Sequence, residues 1–191
     1  MEKRYLILLI KPFKLMLSMR KVVFVLLLFP SPYFGFSQNI KEASVEKSVF
    51  GIQLGILNLW VHHELKLSNQ VVLRSEIGIG GPNTANIAPA LALEPRWYYN
   101  LNGRANRGKR IDGNSGNYVS FRSSYHFYNV SEDDKNSLNN LLLAPTWGIR
   151  RNIGNHFNYE AGLGLGLGFG NDRERGINTI PYVSLKIGYR F

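Results

Sequence analysis

The chain has 191 residues, 45% apolar and 19% charged, a balance that suits one folded domain or a small pair and excludes a disordered chain. It has no cysteine, which excludes a disulfide scaffold, a thiolate metal site, an iron–sulfur cluster, a thiol nucleophile and a cysteine-linked acyl anchor. The formal charge of +10 suggests nucleic acid only until its position along the chain is known.

Residues 19–37 have the pattern of a secretory signal peptide. Met19, Arg20 and Lys21 make a basic start, 22–29 an apolar core, and Pro30 and Pro32 end any helix. Gly35 and Ser37 then occupy the −3 and −1 positions of a cut before Gln38. The apolar core is too short to cross a bilayer, which takes about 20 helical residues. Residues 1–18 carry a weaker apolar patch over 5–10, set apart by Lys11 and Lys14. We read Met19 as the true start and 1–18 as an over-long start, with a long signal or a bipartite anchor as the alternative. Without the 1–37 leader the chain keeps 17 basic and 12 acidic side chains, a net +5. Export and this modest charge argue against a nucleic-acid partner.

After a short segment over 38–48, the rest of the chain (49–191) shows no helical stripe. Two-residue alternation recurs instead, the mark of strands with two different faces. The first strand, over 50–57, sets Phe50, Ile52, Leu54 and Ile56 against Gly51, Gln53 and Gly55, and turns tightly near Asn58. The second, over 59–67, sets Val61, Leu65 and Leu67 against His62, Glu64 and Lys66. Over 71–80, Leu73, Ile77 and Ile79 oppose Arg74, Glu76 and Gly78; over 87–100, Leu91, Leu93, Trp97 and Tyr99 oppose Ala92, Glu94, Arg96 and Tyr98. Over 117–128, Val119, Phe121, Tyr125 and Phe127 oppose Ser120, Arg122, Ser124 and His126. Over 141–151, Leu143, Pro145, Trp147 and Ile149 oppose Ala144, Thr146, Gly148 and Arg150. Over 155–169, aromatic and aliphatic residues from Phe157 to Phe169 oppose Asn158, Glu160 and the glycines at 162, 164, 166 and 168. The last strand ends the chain, with Val183, Leu185, Ile187, Tyr189 and Phe191 opposite Tyr182, Ser184, Lys186, Gly188 and Arg190.

Eight such strands predict an all-β protein, an eight-stranded antiparallel barrel, and two barrels of that size have opposite interiors. A lipocalin-like barrel fills its interior with apolar side chains. Here one face is nearly free of charge and the other carries Glu64, Lys66, Arg74, Glu76, Glu94, Arg96, Arg122, Arg150, Glu160 and Lys186. Aromatics lie toward several strand ends, as girdles at two membrane interfaces would. The expectation is a transmembrane barrel, apolar outside and with a charged lumen.

With the carboxyl end in the periplasm, 68–70 and 152–154 become short periplasmic turns, and 81–86, 129–140 and 170–176 become outer loops. The middle outer loop is acidic, through Glu132, Asp133 and Asp134 against Lys135. The long 101–116 connection falls on the periplasmic side and is basic, through Arg104, Arg107, Lys109 and Arg110. It reads as a solvated turn; the functional alternative is attraction to anionic headgroups or to acidic groups of the cell wall.

The ending Ser184-Leu-Lys-Ile-Gly-Tyr-Arg-Phe191 resembles the C-terminal strand of Gram-negative outer-membrane proteins. The resemblance implies that Leu185, Ile187, Tyr189 and Phe191 form the signal read by the barrel assembly machinery. The segments 93–100 and 145–160, and the signal ending Phe36-Ser37-Gln38, are similar to those of small outer-membrane β-barrel proteins of Bacteroidota. No known activity comes with that likeness, so it supplies no catalytic residues.

Three constellations remain. Four acids and six bases on the inner face of a narrow barrel predict a plugging network of ion pairs and tyrosines, with a narrow or gated channel as the alternative. The glycines at 162–168 would then make room for arginines and tyrosines from facing strands. His62 and His63 are adjacent on one strand and point to opposite faces, so a shared metal is not expected; His62 is read as a lumen histidine bonded to a carboxylate. Glu94, Ser120, Ser124 and His126 share the inner face, but neither serine has a nucleophile-elbow context, so no catalytic residue is assigned. The reading is a non-enzymatic, monomeric outer-membrane barrel with a structural or surface-interaction role and no metal or cofactor. Its partners are membrane lipid and the assembly machinery; a lipid-modifying or proteolytic barrel enzyme is the last alternative.

Overall fold

A computed structural model describes residues 42–81, 87–127, 139–170 and 177–191. The signal peptide read at 19–37, the start at 1–18 and the acidic residues at 132–134 lie outside the described residues. The strands are β1 (Ser48–Gly55), β2 (Asn58–Lys66), β3 (Val71–Gly80), β4 (Ala88–Trp97), β5 (Asn117–His126), β6 (Asn139–Ile153), β7 (Phe157–Gly170) and β8 (Ile177–Arg190). Each pairs antiparallel with its sequence neighbours, and β1 pairs with β8, so the sheet closes on itself. The fold is an all-β, eight-stranded antiparallel barrel.

Alternation along each strand decides what faces inward. In β4 every second residue from Ala88 to Arg96 is buried and every intervening one is exposed. The same rhythm exposes Phe50, Ile77, Leu93, Phe121, Leu163 and Leu185 on the outside. Inside it buries Glu64, Arg74, Glu76, Glu94, Arg96, Arg122, Arg150, Glu160 and Lys186. The wall is uneven in height. β1 to β5 have 8 to 10 residues, whereas β6, β7 and β8 have 15, 14 and 14. β8 begins at Ile177, well ahead of the 182–191 stretch where its alternation is cleanest.

The N-terminal segment and the chain end lie at one end of the barrel, here the terminal end, together with the 67–70 and 154–156 turns. The β1–β2 turn at 56–57 lies at the far end. Aromatics gather on the outer face near the terminal end. Trp147 Nε1 donates to the Tyr99 hydroxyl at 2.9 Å, and Tyr189 makes edge contacts with Phe157 and Phe191. Phe50 and Phe191 join across the β1–β8 closure with ring centres 5.5 Å apart. Tyr125 and Phe127 form a similar edge pair toward the far end.

The 101–116 connection departs from the expected solvated turn. It folds into a helix, α1 (Leu101–Ala105), and a 3₁₀ turn (Asp112–Asn114) that lie over the terminal end. Leu101 is fully buried in an apolar cluster with Ala43, Val45, Val72, Tyr98 and Tyr118. The physical reason is partnership: the segment before β1 supplies Ala43 and Val45 as a surface for Leu101. Backbone polar groups of that segment are also met, by Asn102 Oδ1 for Ala43 N (2.9 Å) and Asn114 Oδ1 for Glu46 N (2.8 Å).

Candidate functional site

The lumen of the terminal half is the most chemically dense place in the fold. Strands β2 to β8 each place one or two charges on the inner face, and register sets several opposite charges directly across from one another. Glu64 pairs with Arg74, Arg74 with Glu94, Arg150 with Glu160, and Glu160 with Lys186. Arg74 and Glu76, like Glu94 and Arg96, stand two apart on one strand and so share a face.

The side chains interlock. Arg74 reaches Glu64 at 2.9 Å, Glu76 at 2.6 Å and Glu160 at 3.1 Å, and also donates to Gln53. Arg96 lies 3.1 Å from Glu94, 3.1 Å from Glu160 and 3.3 Å from Glu64. Arg150 reaches Glu64 at 2.8 Å, Arg122 bridges Glu76 and Glu94 at 2.5 and 3.0 Å, and Lys186 meets Glu76 at 3.2 Å. Rings close the gaps: the Arg96 guanidinium lies 4.3 Å from the centre of Tyr118. Gly148 makes room for that tyrosine, since a β-carbon there would come within 2.4 Å of its ring. Charges taken out of water persist only when paired and hydrogen-bonded, and here most donors have acceptors within reach.

Nine of the ten charges read from the sequence meet in this network. Lys66 does not. It ends β2 at the terminal mouth, where its ammonium donates to Ser44 Oγ at 2.6 Å and Asn69 Oδ1 at 3.1 Å. The N-terminal segment and the β2–β3 turn capture it before it can reach the lumen acids. In its place uncharged groups enter: Gln53 Nε2 donates to Asn158 at 2.8 Å and Glu160 at 2.9 Å, and Asn114 Nδ2 donates to Glu64 at 2.7 Å. Gln53 and Asn158 already stood on the inner face by alternation; Asn114 carries no sequence signal.

Two further readings change. Both ring nitrogens of His62 are buried without a hydrogen-bond partner, so it is not bonded to a carboxylate. His63, on the opposite face, bonds Ser48 Oγ at 2.8 Å. Of the arginines and tyrosines expected over the strand-β7 glycines, a tyrosine comes near one: a β-carbon at Gly162 would meet Thr146 at 3.3 Å and lie 3.7 Å from the Tyr118 hydroxyl, whereas one at Gly166 would meet Leu142 and Ile180, and one at Gly164 the carbonyl of Pro145. Ser120 Oγ donates to Glu94 at 2.7 Å, which makes that serine part of the network. No group of three metal-ligating side chains occurs among the described residues.

Of the basic residues on the connection, Arg104 donates to the carbonyl of Arg110 at 2.8 Å and Arg110 makes a forked pair with Asp112 at 2.9 and 2.7 Å. Arg107 and Lys109 are exposed. Arg110 holds the Asp112 carboxyl below its ordinary value, helped by Asn152 and Arg190. Arg190 Nη2 reaches Asp112 at 3.2 Å and its Nη1 reaches Glu46 at 2.9 Å, tying the last strand to the cap. Leu185, Ile187, Tyr189 and Phe191 lie together on the outer face of β8 and its end, all exposed.

Comparison with protein-family models, with curated proteins and with solved structures gives no match for this chain.

Proposed function

We propose that the chain is an outer-membrane β-barrel with a sealed lumen, serving a structural or surface-interaction role rather than catalysing a reaction. The reading rests first on polarity: the barrel is apolar outside and ionic inside, the reverse of a soluble lipid-carrying barrel. Ten strand residues tilted by about 40° climb roughly 25 Å, the height of the apolar band of such barrels. Closure matters as well, because a barrel in lipid can leave no strand edge unpaired within the hydrocarbon. The aromatics at the terminal end and the outward row Leu185, Ile187, Tyr189 and Phe191 fit an interfacial belt and an assembly signal.

The observation that carries the sealed lumen is the side-chain network from Glu64 to Lys186, capped at one end by 42–47 and 98–116. An eight-stranded barrel is just wide enough for side chains to fill it. This argues against the channel alternative. The test is the chain expressed with its leader, purified from the outer-membrane fraction and placed in a planar lipid bilayer. A gel band that shifts on boiling and a bilayer without steady conductance are expected. Stable unitary steps would favour the channel, and recovery as a soluble protein with no gel shift would overturn the membrane reading.

A further inference from the structure

The far-end half of the lumen is built differently from the network below it. A cavity of about 110 Å³ opens there, several times the room one water needs. Arg122, Lys186, Ser124, Ser184 and Tyr182 contribute to its wall, together with Trp60. Among the described residues that line it there is no carboxylate. Glu76 and Glu94 contact Arg122, and Glu76 also contacts Lys186, without lining the cavity themselves.

Charge counting points the same way. Among the described residues the network holds five cations (Arg74, Arg96, Arg122, Arg150 and Lys186) and four acids (Glu64, Glu76, Glu94 and Glu160), leaving one positive charge over. Arg74, Arg96 and Arg122 each share their acids through two or more contacts of 3.1 Å or less, and Arg150, which reaches Glu64 at 2.8 Å and Glu160 at 3.4 Å, is not among the residues lining the cavity. Among the described residues Lys186 has one acid contact, at 3.2 Å, which leaves two of its three N–H donors without an acceptor among those residues. Its ammonium is 5.8 Å from the centre of the Trp60 ring, and the Arg122 guanidinium 5.1 Å.

The cavity also has a way in. β8 pairs with β1 only from Lys186 onward, opposite Gly55, and β1 then turns back at 56–57. Residues 177–185 therefore rise above the lowest part of the wall. Ile56, Val183 and Leu185, exposed on the outer face, line the cavity at that notch. Its cationic interior thus adjoins an apolar outer wall.

We propose that this cavity binds one phosphate-type oxyanion, which neutralises the extra lumen cation through Lys186 and Arg122 and takes further hydrogen bonds from Ser124, Ser184 and Tyr182. The same chemistry is presented by free phosphate and by the phosphomonoester headgroup of an amphiphile whose chains stay on the apolar wall beside the notch. The site goes beyond the sealed-barrel role, and its free-anion form stands whether or not the barrel sits in lipid.

The experiment is a ³¹P NMR titration of inorganic phosphate into the purified protein in a neutral maltoside detergent. A parallel titration uses micelles doped with phosphatidic acid, and phosphatidylcholine serves as the control. Saturable broadening of either phosphate or phosphatidic acid, but not of phosphatidylcholine, is expected. Two variants locate it: Lys186→Gln removes the extra charge, and Ser184→Leu fills the cavity while leaving every charge in place. Each should weaken binding by about tenfold or more, the loss of one charge-assisted hydrogen bond or of the space itself. If Lys186→Gln loses the gel shift of the folded barrel, Ser184→Leu decides alone. Tighter binding of phosphatidic acid than of phosphate names a lipid source, and equal or weaker binding names the free anion. No saturable broadening by either probe, or wild-type binding by the folded variants, overturns the site.

Discussion

Asn114 donates from Nδ2 to Glu64 Oε2 at 2.7 Å, so the connection between β4 and β5 reaches down into the ion network that it covers. Asn114 is also the one non-glycine residue with a positive φ, 60°, among the described residues. Asparagine adopts that conformation more readily than other side chains because its short amide can bond locally. The residue therefore serves the backbone turn and the network together. Asn114→Gly keeps the turn and removes both side-chain hydrogen bonds, the one to Glu64 and the one from the Glu46 amide, which should lower stability by about 1–3 kcal/mol. Asn114→Ala should lose about 1 kcal/mol more through the left-handed backbone. Urea unfolding in detergent, followed by tryptophan fluorescence, measures both; an unshifted midpoint for the glycine variant would show that cap and network are uncoupled.

Arg96 lies within 3.3 Å of Glu64, Glu94 and Glu160. Arg96→Glu would set a fifth carboxylate among those three and turn the lumen excess from positive to negative. Removing one partner of a buried pair costs about 3–5 kcal/mol, and reversal adds repulsion to that. The variant should fail to refold in detergent, or unfold at far lower urea than wild type. Adding Glu160→Arg restores opposite charges at that contact and should recover part of the loss. Equal stability of Arg96→Glu and wild type would mean that the charges are solvated rather than structural.

The strands and their faces were legible because alternation is a local signal, and each strand repeats it for eight or more residues. Glu64, Arg74, Glu94 and Glu160 could be placed inside without knowing the register, since only parity matters. Lys66 has the right parity and the wrong height, and height depends on strand ends that alternation does not mark. The cap was not legible for a related reason. Leu101, Ala43 and Val45 are single apolar residues in segments without period, and only their meeting over Tyr98 and Tyr118 gives them a role. Trp60 and Tyr118 sit inside the barrel although their residue types suit its outer girdle, and the cations Arg122 and Arg96 beside their rings account for that.

Asp112 sits where the cap meets the last strand, accepting from Arg110 and Asn152 and pairing with Arg190. Its folded carboxyl is held below the ordinary value, chiefly by the Arg110 hydrogen bond. A carboxyl lowered on folding stabilises the ionised cap above its unfolded value, near pH 4, and that contribution fades as pH falls through the lowered value. Acidification should therefore loosen the 101–116 connection. Asp112→Asn removes this titration, so its cap should show weaker protection at neutral pH and little further change with acid. Hydrogen exchange of the 101–116 amides in both proteins, corrected for intrinsic rates, checks it; parallel pH dependences would remove Asp112 from the cap's support.

Leu93 tests the environment of the whole outer face. It lies mid-way along β4, 53% exposed, with exposed Leu91 and Trp97 on the same outer face. In water an exposed leucine can become arginine at little cost, within about 0.5 kcal/mol. At the middle of a bilayer the same change costs about 2–4 kcal/mol, because the guanidinium meets hydrocarbon. The two environments therefore differ by more than the error of an unfolding measurement. Leu93→Arg should lower the stability of the barrel in lipid vesicles by that larger amount, whereas Lys109→Leu, on the exposed connection, should change it little. If Leu93→Arg is as stable as wild type in vesicles, the apolar outer face does not sit in lipid. The ionic lumen would then need another explanation, such as a protein partner that covers the outer wall.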